Sequence, residues 1–274
     1  MTNGFVFDQS HYDALNDARE PVIRQLLESL RQARELRTAV DLGCGVGYYS
    51  AFLRDLGFRV LALDGRPENI AEARRRVSGI EFGVVDAEDA AVRSFGRFDL
   101  VLCLGLYYHL ENPFVAFRNL LAMTGTVAIL EGMCVPGVEP VLAVRDEGPT
   151  EDQGLRHVAL YPTENGLIKL LYRAGFPKVY RFRTMPNHPN YMNSPLSRQK
   201  RTILVASFEP LETVQLELAT EPATIADPWA VRWSARAVVY RARNFATHIS
   251  NFAAKPWPEK QRVLQRRWSR MFPS

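Results

Sequence analysis

Five short apolar runs recur through the first half of the chain: TAVDLG (38–43), RVLALD (59–64), IEFGVVD (80–86), FDLVLCLG (98–105) and TVAILEG (126–132). Between them lie segments with apolar residues at helical spacing, such as PENIAEARRRV (67–77) and NPFVAFRNLLA (112–122). Strand-length runs alternating with helical ones predict parallel strands joined by crossover helices, because a parallel pair needs a long return connection. After a looser stretch from about 133 to 161, PTENGLIKLLYRAGF (162–176) reads as a helix opened by Pro162 and closed by Gly175. KVYRFRT (178–184) and RTILVASF (201–208) then read as closing strands, which brings the strand count to seven. Residues 11–36 form an amphipathic helical region ahead of the first strand.

Composition narrows the class. With 274 residues, 47% apolar and 23% charged, the chain is long enough to bury a full core. No apolar run approaches the roughly 20 residues that span a bilayer. The first 20 residues lack a basic start followed by an apolar stretch, so the expectation is a cytoplasmic protein. Three scattered cysteines, Cys44, Cys103 and Cys134, fit reduced thiols better than a disulfide framework. Five histidines, at 11, 109, 157, 188 and 248, are dispersed, and no metal site is indicated.

The run AVDLGCGVGYYS (39–50) places Gly43, Gly45 and Gly47 directly behind the first strand. A nicotinamide dinucleotide site asks for G-x-G-x-x-G, and the sixth position here is Tyr48. At the carboxyl end of a first parallel strand the chain turns sharply, and glycine lets a ligand approach the backbone itself. Two further acids close the second and third runs: Asp64, before Gly65 and Arg66, and Asp86, before Ala87 and Glu88. A carboxylate at the tip of the second strand suits the hydroxyls of a ribose.

VDLGCGVGYYS with these two acids resembles the class I S-adenosylmethionine-dependent methyltransferases, closely over residues 38–132 and more loosely to 208. The resemblance implies an α/β fold: a seven-stranded, mostly parallel sheet with helices on both faces and its last strand antiparallel. It implies S-adenosylmethionine as cofactor, with Asp41, Gly43, Gly45 and Gly47 beside its methionine part, and Asp64, Gly65 and Arg66 at its ribose. Asp86, Ala87 and Glu88 would face its adenine, and Leu104 and Gly105 would approach it from the tip of the fourth strand. Tyr12 and Arg19, ahead of the first strand, are candidates for the sulfonium and the carboxylate; the alternative is a plain surface helix.

A sulfonium methyl is already activated, so the protein need only align the acceptor and manage its proton. LCLGLYYHLENP (102–113) resembles the strand-four loop of small-molecule and tRNA-modifying members. It puts Tyr107, Tyr108 and His109 where an acceptor would arrive, with His109 the best general base. The rival role for His109 is to cap the helix after Pro113 or to bond a carbonyl. Glu131 is a second candidate base or an anchor for the acceptor, or else a partner for a helix amide. His157 and Tyr161 are candidate substrate contacts in the looser stretch.

Charge is unevenly spread. Residues 227–274 hold ten Lys or Arg against two acids and all four tryptophans, Trp229, Trp233, Trp257 and Trp268, so this segment carries +8. The expected organisation is a helical lid at 1–37, a catalytic domain at 38–208 and a basic helical extension at 209–274. The favoured function is methylation of an oxygen or nitrogen on a small-molecule or sugar acceptor. The basic extension leaves an RNA-modifying enzyme and a non-catalytic docking module as alternatives. Apolar faces at helical spacing in the extension favour packing over a purely electrostatic role.

Overall fold

The computed structural model describes residues 5–147, 154–156, 158–193, 198–223 and 256–259. The chain divides into two compact units, Met1–Thr224 and Ile225–Ser274. In the second unit residues 257–259 are helical, while Trp229, Trp233 and Trp268 lie outside the described residues. No described helix is long and apolar enough to cross a membrane.

The first unit begins with α1 (Ser10–Ala33), followed by β1 (Thr38–Leu42), α2 (Tyr48–Asp55), β2 (Arg59–Asp64), α3 (Pro67–Arg76) and β3 (Glu81–Val84). Next come β4 (Phe98–Leu104), α4 (Pro113–Met123) and β5 (Thr124–Met133), then a hairpin of β6 (Leu142–Asp146) and β7 (Val158–Pro162). The unit closes with α5 (Glu164–Ala174), β8 (Lys178–Phe182), β9 (Arg201–Ser207) and β10 (Leu216–Leu218). The main sheet runs β10-β8-β9-β5-β4-β1-β2-β3, parallel from β5 to β3, with β9 antiparallel to both β5 and β8.

All seven expected strands are present, and the mostly parallel α/β class with an antiparallel last core strand is as expected. The main sheet has eight strands rather than seven. Three residues, LEL, pair with β8 at the edge, too short a run to register as a strand in sequence. The looser stretch contains the β6–β7 hairpin, whose mixed apolar and charged residues gave no strand signal. Pro162 does not open α5. It ends β7, and Thr163 caps the helix by accepting from the Gly166 amide.

Side chains alternate between the two faces of the sheet, as a period of two requires. Leu100 and Leu102 of β4, Val127 and Ile129 of β5, and Ile203 and Val205 of β9 meet Ile23, Leu26, Leu27 and Leu30 of α1. Val101 and Cys103, Ala128 and Leu130, and Leu204 and Ala206 face the other way, against Phe117 and Leu120 of α4 and Leu167 and Leu171 of α5. The first row also contains charge. Glu131 continues the Val127–Ile129 row, and Arg201 pairs with Met133, one step beyond the Glu131–Ile203 pair. Register therefore brings Glu131 and Arg201 together on the α1 side, where Arg19 projects. Cys44, Cys103 and Cys134 are all buried as free thiols.

Candidate active site

The parallel strands end together, and above their tips lies a cavity of about 540 Å³, within the size of small-molecule sites. Gly43 and Gly47 of the β1–α2 turn line it, as do Asp64, Gly65 and Arg66 after β2, and Asp86, Ala87 and Glu88 after β3. Leu104 of β4 and Gly105 just after it follow, then Tyr108 and His109 in the 3₁₀ turn beyond, with Tyr12 and Arg19 from α1. Gly43, with φ +81°, needs glycine twice over. The left-handed backbone strains any other residue, and a Cβ there would meet the Leu106 side chain at 2.9 Å.

Other named residues sit apart from the cavity wall. Gly45 turns its amide to Asp64, and a Cβ on it would strike the Phe7 ring at 2.8 Å. Asp41 is buried within β1 and accepts from Ser50 Oγ at 2.6 Å. Burial and the nearby Asp64 push its carboxyl up to about 7 against the Ser50 bond. Tyr107 is buried with its hydroxyl donating to the Met133 carbonyl, and Tyr161 of β7 meets the Tyr108 ring edge to face. His157 lies outside the described residues.

Asp64 is already engaged. Its Oδ2 accepts from the Gly45 amide at 2.9 Å, and its Oδ1 accepts from the Arg66 amide at 2.9 Å and Asn69 Nδ2 at 3.1 Å. A carboxylate offers about four acceptor positions, so one remains. Across the sheet, Asp86 accepts from the Glu88 amide, and Arg156 reaches Asp86, Glu88 and Glu111 at 2.9, 3.0 and 3.2 Å. Arg66 donates to the Gly154 carbonyl. Residues 154–156 of the β6–β7 connection thus meet the tips of β2 and β3.

Glu131 lies beneath the wall, wholly buried, and both of its oxygens are filled. Arg19 Nη1 donates to Oε2 at 2.6 Å, while Arg201 Nε donates to Oε1 at 2.6 Å and Nη2 to Oε2 at 3.2 Å. The Tyr191 hydroxyl donates to Oε1 at 2.7 Å. Burial alone would raise the Glu131 carboxyl, but the charges of Arg201 and Arg19 outweigh it and hold it at about 2. An ionised carboxylate accepting four donors anchors two guanidiniums and has no free lone pair for an acceptor's proton.

His109 is placed differently. It lines the cavity, with its ring 4.2 Å from the Tyr108 ring, and its Nδ1 is bonded to Glu147 Oε1 at the end of β6. Glu147 Oε2 also accepts from the Gly154 amide. With a carboxylate accepting the Nδ1 proton, Nε2 is the nitrogen left with a lone pair. Sequence reading missed Glu147, which carries no motif within RDEG. It also missed Arg201, although an arginine opening an otherwise apolar strand was a visible signal.

Residues 40–124 match a family model described as a methyltransferase domain. This segment is similar to a methyltransferase domain. Curated relatives include the ubiquinone biosynthesis O-methyltransferase of Xanthomonas euvesicatoria pv. vesicatoria (strain 85-10), 35% identical over 114 residues, covering 40% of this chain and 46% of that one. The counterpart from Xanthomonas campestris pv. campestris (strain B100) is 33% identical over 95 residues, covering 32% and 40%. The chain therefore spans less than half the length of these relatives.

Among solved structures, the N-terminal domain of EvdMO1 with SAH bound superposes with a TM-score of 0.57 at 22% identity, covering 75% of this chain and 90% of that one. The 1,6-didemethyltoxoflavin-N1-methyltransferase of Burkholderia thailandensis gives 0.51 at 19%, covering 72% and 82%. At these identities the likeness is one of fold. The matched segment supplies the strand tips beneath the cavity, while Tyr12, Arg19, Arg156 and Arg201 reach it from outside that segment.

Proposed function

We propose that this chain is an S-adenosylmethionine-dependent O-methyltransferase acting on a hydroxyl of a small-molecule acceptor. The observation that carries the reading is His109, held by Glu147 through Nδ1 and lining the same cavity as Gly43, Asp64 and Gly105. A base with a free Nε2 suits a hydroxyl, whose proton must leave as the oxygen is methylated. The names of the ubiquinone biosynthesis O-methyltransferases support oxygen as the target.

The residues fit the cofactor. Gly43 and Gly47 present bare backbone, Asp64 keeps one acceptor position for a ribose hydroxyl, and Ala87 and Leu110 provide apolar wall for a base. Arg19 stands by the glycine turn with a guanidinium for a carboxylate, bonded also to Tyr49 and Asn16. When bound, S-adenosylmethionine supplies an activated methyl group. The chain's own part is to seat the acceptor against Tyr108 and Leu106, exclude water with the Phe7–Tyr12 segment, and take the hydroxyl proton on His109 Nε2. Glu147 fixes the ring and balances the charge it gains.

The test is calorimetry with S-adenosylhomocysteine and NADH, followed by a screen of hydroxylated aromatics and sugars for methyl transfer from labelled S-adenosylmethionine. Saturable S-adenosylhomocysteine binding and methyl ethers as products are expected. Tight NADH binding with no response to the nucleoside would overturn the cofactor, and methylation confined to amines would overturn the acceptor atom.

A further inference from the structure

We infer that Arg201 and Tyr108 form a subsite for an acidic group on the acceptor, a carboxylate or phosphate standing beside the hydroxyl to be methylated. This deepens the reading above and rests on it for the position of the donor. The argument begins with charge. Arg19, Arg201 and Glu131 form one buried cluster, with the arginines 7% exposed and the glutamate fully buried. Two cations against one anion leave a net charge of +1. An uncompensated buried charge is costly, and an anionic group on a ligand would offset it.

Geometry locates the excess. Glu131 sits between the two arginines. Arg19 is turned toward the glycine side, where Nε donates to the Tyr49 hydroxyl at 2.9 Å and Nη2 to Asn16 at 2.7 Å. Each of its three nitrogens already donates one bond, which leaves only second N–H groups on Nη1 and Nη2. Arg201 is turned toward the strand-four turn, with its guanidinium 5.5 Å from the Tyr108 ring centre and Nη2 3.8 Å from where a Cβ on Gly105 would stand. Its Nε and Nη2 hold Glu131, and Nη2 also reaches the Tyr108 hydroxyl at 3.4 Å. Among the described residues, Arg201 Nη1 donates to nothing, and Arg201 lines the cavity.

Two N–H bonds on a buried guanidinium that contacts Tyr108, the chain neighbour of His109, match an anionic oxygen. Tyr108 adds a hydroxyl and a ring face that suits an aromatic acid. The carboxylate of the donor could in principle use the same nitrogen, and the experiment separates these two sources.

The probes are benzoate, its neutral isostere benzamide, and inorganic phosphate, titrated into the full chain with and without saturating S-adenosylhomocysteine. Benzoate or phosphate is expected to saturate in the presence of S-adenosylhomocysteine, with benzamide roughly tenfold weaker or more, the size of a lost charged hydrogen bond. Arg201→Gln is expected to weaken the anion about tenfold while leaving S-adenosylhomocysteine affinity within roughly threefold. Arg201→Lys keeps a charge for Glu131 but loses the fork, so it is expected to lower anion affinity in the same direction, and it decides the matter if the Gln variant does not fold.

Equal binding of benzamide and benzoate would overturn the proposal, as would no saturable anion, or anion binding unchanged in both variants. A fall in S-adenosylhomocysteine affinity matching the fall for the anion would reassign Arg201 to the donor's carboxylate. Failure of the wild-type chain to bind S-adenosylhomocysteine at all is a separate readout, and it counts against the proposed function rather than the anion subsite.

Discussion

Around Gly43, Asp64 and Asp86 the cavity wall is made of turns that each directly follow a strand, held mainly by main-chain amides on the Asp64 and Asp86 carboxylates, with Arg156 as a partner from far off in sequence. Around Tyr108, His109 and Arg201 the wall is made of side chains whose partners lie far off in sequence: Glu147 is 38 residues from His109, and Arg201 is 70 from Glu131 and 93 from Tyr108. One half is local and built of backbone, and the other is assembled by sheet register. A local wall can be fixed within a fold and serve one ligand in many proteins. An assembled wall changes whenever a loop or a strand end changes, which is where specificity for an acceptor can vary.

Breaking the assembled half at its reactive group gives the largest expected effect. His109→Ala is expected to lower turnover by roughly 10² to 10⁴ while S-adenosylhomocysteine affinity stays near its original value. Single-turnover rates and calorimetry on the same variant check this. Unchanged turnover would assign His109 to structure alone, and a parallel loss of nucleoside affinity would erase the division between the halves.

A cut in the local half is expected to do the reverse. Asp64→Ala removes the acceptor for a ribose hydroxyl and also frees the Gly45 and Arg66 amides that the carboxylate now pins. Loss of charged hydrogen bonds on this scale corresponds to roughly 10²-fold in nucleoside affinity. Asp64→Asn keeps one carbonyl acceptor and is expected to fall between the two. Affinity loss in the nucleoside but an unchanged KM for the acceptor would sharpen the comparison. Equal loss in both would mean that the site behaves as one body.

The same division sets what could be read in advance. β1, β2 and β4, the glycine turn, and Asp64 and Asp86 were legible because a strand, a turn and an acid at a fixed spacing are local patterns. His109 was legible as a candidate because it lies five residues past the end of β4. Its partner Glu147 was not, since the β6–β7 hairpin that carries it had no periodicity to announce it. Glu131 shows the limit most clearly. An acid ending an apolar strand looked like a candidate base, and only the register of β5 against β9, with α1 above, places two arginines on it. Arg19 was named for a carboxylate, but the carboxylate it holds in the protein is Glu131.

Asp41 offers the smallest test, because it supports the local half from below without lining the cavity. Its carboxyl titrates near 7 in the folded chain, raised chiefly by burial, against about 3.9 when unfolded. Between those values the folded state holds a proton that the unfolded state has lost. The stability due to this group is therefore complete below about pH 4 and declines as pH rises toward 7. From pH 5 to pH 8 the decline is expected to be roughly 2.5 kcal/mol. Asp41→Asn keeps the shape and an oxygen for Ser50 Oγ but cannot ionise, so its slope over this range is expected to be flatter by that amount. The variant then gains on the wild type at pH 8 relative to pH 5, with nucleoside affinity within roughly threefold. Urea denaturation at the two pH values measures it. Parallel stability profiles for the two proteins would mean that Asp41 is ionised throughout, and that the negative charge beneath the glycine turn belongs to the donor half after all.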